Sequence, residues 1–192
     1  MIIALYFGSF NPLHIGHISI AKYILDNMSV DQVHLVPSPQ NPLKPLLSSE
    51  LNCAKLEHLK KAVIRFNAHY CPKHDKDNLS GRKELKINDI EYRLKPPYYT
   101  YNTLMAIKAE FTDAELVIVI GADNLDIIEK WYKWKEILAN FRVWVYPRSN
   151  YDGKALCIKY GTQFLDAPLM DISSTFIREE QAKGVDMSKY TW

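Results

Sequence analysis

With 192 residues, 47% of them hydrophobic and 24% charged, the chain has the make-up of an ordinary globular protein and is long enough to bury one sizeable core. Twenty-four Lys and Arg against 22 Asp and Glu leave a formal charge of +2, which argues against a dedicated nucleic-acid binder while allowing a local basic pocket. Three widely spaced cysteines (Cys53, Cys71, Cys157) offer neither zinc spacing nor a disulfide framework, and no apolar run approaches the ~18 residues that span a bilayer, so a reducing cytoplasm and no membrane are expected.

Met1–Phe7 is continuously apolar, as a strand covered on both faces should be. A turn-rich stretch, Gly8 to Pro12, leads into a helical period from about Ile15 to Met28. Val33–Val36 reads as a second strand, and residues 37–49, with four prolines, as a loop. An amphipathic helix is predicted over Glu50–Asn67, a polar surface excursion over 72–83, and a strand around Leu85–Ile90. Tyr99–Phe111 is helical in pattern, and Leu116–Ile120 (LVIVI) is the clearest buried strand. Helical material then runs from Asn124 to Ala139, followed by a strand at Arg142–Tyr146 and a short one at Phe164–Leu165. A helix over Ser173–Lys183 opens the C-terminal piece, residues 173–192. The alternation of strand and helix predicts a single domain, 1–192, of the α/β class: a Rossmann-like, doubly wound, mostly parallel sheet with helices on both faces.

The seven glycines stand at 8, 16, 81, 121, 153, 161 and 184, and no two form G-x-G. The glycine-rich dinucleotide fingerprint and the P-loop are therefore both absent. What replaces them lies at the junction of the first strand and first helix, in Gly8-Ser9-Phe10-Asn11-Pro12-Leu13-His14-Ile15-Gly16-His17. Ligands of open α/β sheets bind beyond the carboxyl ends of the strands, which is where this junction falls. Gly8 permits close approach of backbone, the amides of Ser9 and Phe10 are free donors, and His14 and His17 share one face of the first helical turn, where an anion is favoured. Histidines packed at a turn are the structural alternative, and H-x-x-H without a partner carboxylate or cysteine is a poor zinc site. A second element, Ile172-Ser173-Ser174-Thr175-Phe176-Ile177-Arg178, supplies helix-capping hydroxyls and, one turn on, an arginine suited to phosphate.

The pairing of G-S-F-x-P-x-H-x-G-H with I-S-S-T-x-x-R resembles the nucleotidylyltransferase superfamily and, within it, the bacterial nicotinate-nucleotide adenylyltransferases. Further matches carry the resemblance from Ile3 to about Gly184: Tyr99-Thr100 to Thr103-Leu104, Gly121-Ala122-Asp123-Asn124-Leu125, Trp131 to Ile137, and the proline-rich loop from Val36 to Lys44. The departures are Asn11 where many members have Asp, Tyr98 where Ser usually precedes Tyr-Thr, and Lys55 in a place often held by Arg; relatives also usually continue beyond the position of Trp192 into another short helix.

The resemblance implies transfer of AMP from ATP to nicotinate mononucleotide, by direct displacement, with a protein that positions groups and stabilises charge. It places His14, His17 and Arg178 as catalytic groups, the two histidines held more protonated by the phosphates. Gly8, Ser9, Phe10, Ser173, Ser174 and Thr175 fall on ATP. Lys44 falls on the mononucleotide phosphate, Trp131 on the pyridine ring, Asp123 on a ribose hydroxyl, and the amides near Thr100 and Tyr132 on the nicotinate carboxylate. Magnesium is expected on the ATP phosphates, without dedicated protein ligands; homo-oligomers remain open. Three rivals stand beside this reading. One is a transferase using the same phosphate apparatus on another acceptor. Another is a class I aminoacyl-tRNA synthetase, whose HIGH signature His14-Ile15-Gly16-His17 matches but whose tRNA-binding body 192 residues cannot hold. The last is a nucleotide-binding regulator without catalysis.

Overall fold

The computed structural model describes residues 1–39, 49–70 and 83–192. Lys44 and all but the last residue of the expected excursion at 72–83 lie outside the described residues.

Among the described residues, six strands form one sheet: β1 (Ile2–Gly8), β2 (Gln32–Pro37), β3 (Glu84–Ile87), β4 (Glu115–Gly121), β5 (Arg142–Tyr146) and β6 (Gln163–Phe164). Their order is β3-β2-β1-β4-β5-β6, and all the pairings are parallel. The α-helices among the described residues are α1 (Ile15–Asn27), α2 (Ser49–Tyr70), α3 (Thr100–Glu110), α4 (Ala122–Asp126), α5 (Trp134–Asn140), α6 (Gly153–Tyr160) and α7 (Ser174–Ala182).

The period-2 geometry of a strand sends alternate side chains to opposite faces, and both faces here are apolar. Ala4 and Tyr6 of β1, with Val117 and Val119 of β4, meet α1 and α2 through Ile24, Leu25, Leu59 and Phe66. Ile3 and Leu5, with Ile118 and Ile120, meet the helices that follow β3 through Leu104, Ile107, Leu125 and Ile137. Connections to the two sides part company between β1 and β4, which makes the carboxyl ends of these strands the crevice of the fold. The register aligns Gly8 with Pro37 and Gly121 with Tyr146, so four strand ends open onto one rim.

Three sequence expectations change. The helix predicted over Asn124–Ala139 is in fact α4, a 3-10 turn at Ile128–Lys130 and α5, divided at Lys133, whose φ of 54° is left-handed. That interruption turns Trp131 and Tyr132 out of any helix and onto the rim. Ile90 leaves the β3 strand for a 3-10 turn, Ile90–Tyr92. Helix α6 went unpredicted, although Asp152 caps it, accepting from the Ala155 N–H at 3.0 Å, and Gly161 closes it in the left-handed conformation.

Candidate active site

A cavity of about 480 Å³ opens at the rim, within the range of small-molecule sites. Gly8, the last residue of β1, and Ser9 after it line the cavity, as do His14 and His17 at the start of α1. His14 is the N-cap of that helix and His17 its third residue; the His14 N–H donates to His17 Nδ1 at 3.3 Å, which fixes the second ring against the first. The two imidazoles stack with centroids 3.7 Å apart. Both are buried. Burial first, and then the Arg148 charge, push His14 down to about 4; burial, the neighbouring His14 and Arg148 push His17 down as well. Within the protein alone both rings are neutral. The greater protonation expected beside polyphosphate therefore has to be brought about by the phosphates.

Phe10 does not line the cavity. Its ring is buried beneath it, edge-on to Tyr6 and His17 at 5.5 and 4.9 Å, and so supports the imidazole pair from below. Its backbone sits at φ 44°, a left-handed conformation that turns the chain sharply toward α1.

The second phosphate-type element closes the cavity from the far end of the sequence. Ser173 is the N-cap of α7, its Oγ accepting from the Phe176 N–H at 3.1 Å. Ser174 Oγ donates to the Pro12 carbonyl at 3.0 Å, across 162 residues. Arg178 donates to the Asn11 carbonyl and, at 3.1 Å, to Thr175 Oγ1. Capping and clamp are thus the same residues: the hydroxyls and guanidinium lock α7 onto the loop before His14, and Ser173, Ser174, Thr175 and Arg178 all face the cavity.

Opposite them stand Thr100, Asp123, Trp131 and Tyr132. Thr100 is the first residue of α3, whose N-cap, Tyr99, makes no side-chain capping bond to the helix amides, and both residues line the cavity. Tyr132 stacks on Tyr99 with centroids 4.8 Å apart, and the Lys133 ammonium lies 4.5 Å from the Tyr101 ring centre. Asp123, in the first turn of α4, lies 3.5 Å from Arg148 Nε, a charge contact without hydrogen-bond geometry.

The sequence reading missed Arg148, Tyr146, Tyr6 and Glu91, which also line the cavity. Arg148 follows β5 and donates to Tyr146 Oη at 3.2 Å, and Tyr6 and Tyr146 are hydrogen-bonded to each other. Burial holds both phenols protonated, well above their ordinary range for Tyr6. Arg148 therefore places a fixed positive charge, tethered to the sheet, beside the two neutral histidines.

The profile of the cytidylyltransferase-like family matches residues 5–180. A nicotinate-nucleotide adenylyltransferase of Flavobacterium psychrophilum is 36% identical over 181 residues, covering 93% of this chain and 86% of its own. One from Porphyromonas gingivalis is 33% identical over 191 residues, with 97% and 87% covered. Among solved structures, a nicotinate-nucleotide adenylyltransferase from Vibrio parahaemolyticus superimposes with a TM-score of 0.63 at 26% identity, covering 100% of this chain and 94% of that one. A nicotinic acid mononucleotide adenylyltransferase from Plasmodium falciparum, complexed with NaAD, shares the fold at a TM-score of 0.69 and 16% identity, with 98% and 89% covered.

Proposed function

The chain belongs to the nicotinate-nucleotide adenylyltransferases, within the cytidylyltransferase-like family, and from that premise we propose how its residues divide the work of adenylyl transfer to nicotinate mononucleotide in NAD biosynthesis. An oxygen of the mononucleotide 5′-phosphate attacks the α-phosphorus of ATP. The bond from that phosphorus to the β-phosphate bridging oxygen breaks, and pyrophosphate leaves with the electron pair. Nicotinate adenine dinucleotide is the other product. No covalent enzyme intermediate is needed, so the protein contributes position and charge.

The observation that carries this reading is the convergence of two phosphate-binding elements, from opposite ends of the sequence, on one cavity that also holds Thr100, Asp123, Trp131 and Tyr132. His14 and His17 face the α-phosphate with the Gly8 and Ser9 backbone close by, and Phe10 holds the second imidazole in place. Ser173, Ser174, Thr175 and Arg178 take the departing β and γ phosphates. Arg148 adds the fixed charge that neutral histidines lack. A bound triphosphate opposes the burial and Arg148 effects on the imidazoles, so nucleotide binding brings proton uptake with it. The amides at the start of α3 and near Tyr132 receive the nicotinate carboxylate, Trp131 the pyridine face and Asp123 a ribose hydroxyl. Lys44 is retained as the group for the mononucleotide phosphate.

Magnesium keeps several of its waters and is held largely by substrate phosphates, so the ion enters as part of the MgATP substrate, where it screens phosphate charge. We place the activity in the cytoplasm and in one 192-residue domain.

The test is incubation with ATP, magnesium and nicotinate mononucleotide, with the dinucleotide and pyrophosphate measured by mass and coupled assay. Formation of nicotinate adenine dinucleotide is expected, with nicotinamide mononucleotide a poorer acceptor. His17→Ala should lower kcat by about two orders of magnitude, the usual cost of losing one group that stabilises transition-state charge. Binding of both nucleotides without product sinks the reaction; equal use of the two acceptors sinks only the acid preference.

A further inference from the structure

One buried ionisable cluster at the rim has no part in the roles above. Glu91 sits in the turn after β3, only 2% exposed yet lining the cavity. Its Oε1 accepts from the Thr103 hydroxyl at 2.8 Å, and that hydroxyl also lies 3.3 Å from the Tyr99 carbonyl at the start of α3. The Ser38 side chain hydrogen-bonds to the same carboxyl group. Lys55, from α2, donates to the Ser38 carbonyl at 3.1 Å, and its charge and that of Glu91 act on each other. The Ser38 N–H in turn donates to the Gly8 carbonyl at 3.1 Å. Through two side chains, the ends of β1 and β2, the body of α2 and the first turn of α3 are joined.

We propose that Glu91 and Lys55 are a positioning pair for the mononucleotide end of the site, a proposal that rests on the adenylyltransferase reading. Glu91 holds the first turn of α3 against the strand ends, so that the free amides around Thr100 point at the acceptor. A carboxylate lining a cavity for an acceptor that itself bears a carboxylate and a phosphate is a repulsive element unless it is engaged and balanced. Oε1 is engaged by Thr103, the Ser38 side chain bonds the same carboxyl group, Oε2 is buried without a hydrogen-bond partner, and the charge of the Lys55 ammonium supplies the balance. Burying such a pair gives little stability by itself, whereas removing one partner leaves the other uncompensated. The contacts of Glu91 and Lys55 described above do not reach α1 or α7, and the link to Gly8 runs only through the Ser38 backbone, so the larger effect falls on the acceptor.

Steady-state kinetics with each substrate varied in turn, at saturating concentration of the other, test this. Glu91→Ala should raise KM for nicotinate mononucleotide about tenfold, the size of one lost charge-assisted hydrogen bond, and leave KM for ATP within about twofold. Glu91→Gln keeps an oxygen for Thr103 and should recover most of that loss. Lys55→Met should raise the acceptor KM, and adding Glu91→Gln to it should lower that KM again, because no unbalanced carboxylate then remains. Equal changes in both KM values, or none, in variants that keep the wild-type melting temperature would overturn the proposal. If Glu91→Ala does not fold, the Glu91→Gln, Lys55→Met and double variants decide by the same pattern. Calorimetric binding of nicotinate mononucleotide and of ATP to each variant reads the same split without turnover. A wild-type protein that makes no dinucleotide counts against the reaction, and the binding split still judges the pair.

Discussion

Gly121→Ala separates function from stability at a single atom. Gly121 ends β4 at φ −78° and ψ 158°, backbone that any residue adopts, so alanine introduces no conformational strain. Restricting the unfolded chain should even favour folding by roughly 0.4–1 kcal/mol. The new Cβ, however, falls 2.2 Å from Asp123 Oδ1 and 3.1 Å from Arg148 Nε. A contact that short cannot persist, and the carboxylate, at the end of a flexible side chain, is the group that moves. The lost Asp123–Arg148 charge contact is partly exposed and contributes about 0–1 kcal/mol. These opposing effects leave stability within ~1 kcal/mol of wild type, a shift of a few degrees in a protein of this size. Catalysis loses more. If Asp123 accepts a ribose hydroxyl, its displacement removes a charge-assisted hydrogen bond of about 1.5–3 kcal/mol, which lowers kcat/KM by about ten- to a hundredfold. Melting by calorimetry and initial rates of pyrophosphate release measure the two quantities. Asp123→Ala alone should cost the same, and the double variant no more than either single change. A Gly121→Ala enzyme with wild-type kcat/KM, or a double variant far worse than Asp123→Ala, refutes the reasoning.

Two further predictions concern stability. His34, remote from the cavity, is buried with its Nε2 2.8 Å from Gln32 Oε1, and burial, reinforced by Lys86, pushes it to about 4, as burial and Arg148 do for His14. Folded pKa values below the unfolded ~6.5 mean that the unfolded chain takes up protons first, so stability is full above pH 6.5 and lost as pH falls towards 4. Replacing His34 with Leu should lessen the fall of the urea midpoint over that window, the part due to His14 and His17 remaining, and spare activity; an unchanged slope contradicts the assignment. Asp152→Ala, which removes the side-chain cap of α6, should cost about 1 kcal/mol in urea unfolding with kcat unchanged, and no measurable loss would mean that water replaces the cap.

The parts legible in the sequence were those whose signal is local. Uninterrupted apolar runs such as Leu116–Ile120 belong to strands packed on both faces, and Ser173 or His14 stands where a helix must begin. The break at Lys133 was not legible, because a lysine at φ 54° carries none of the glycine or asparagine marks of that conformation. Helix α6 was readable from Asp152 and Gly161, but between those caps only Gly153 and Cys157 are buried, which leaves too faint an apolar stripe. Glu91 and Arg148 look like any surface charge when taken in order. Only the meeting of the β2, β3 and β5 ends on one rim encloses them, and that convergence is a property of the sheet order.

The bonds from Ser174 to Pro12 and from Arg178 to Asn11 join the loop after β1 to α7 across more than 160 residues of sequence. Both end on backbone carbonyls, so the side chains of that loop can change without loosening α7. Cutting the chain between β6 and α7 would free one wall of the cavity and leave the six described strands in place. On the proposed assignment, a bound nucleotide touching both walls would hold them together and stabilise the folded chain by mass action.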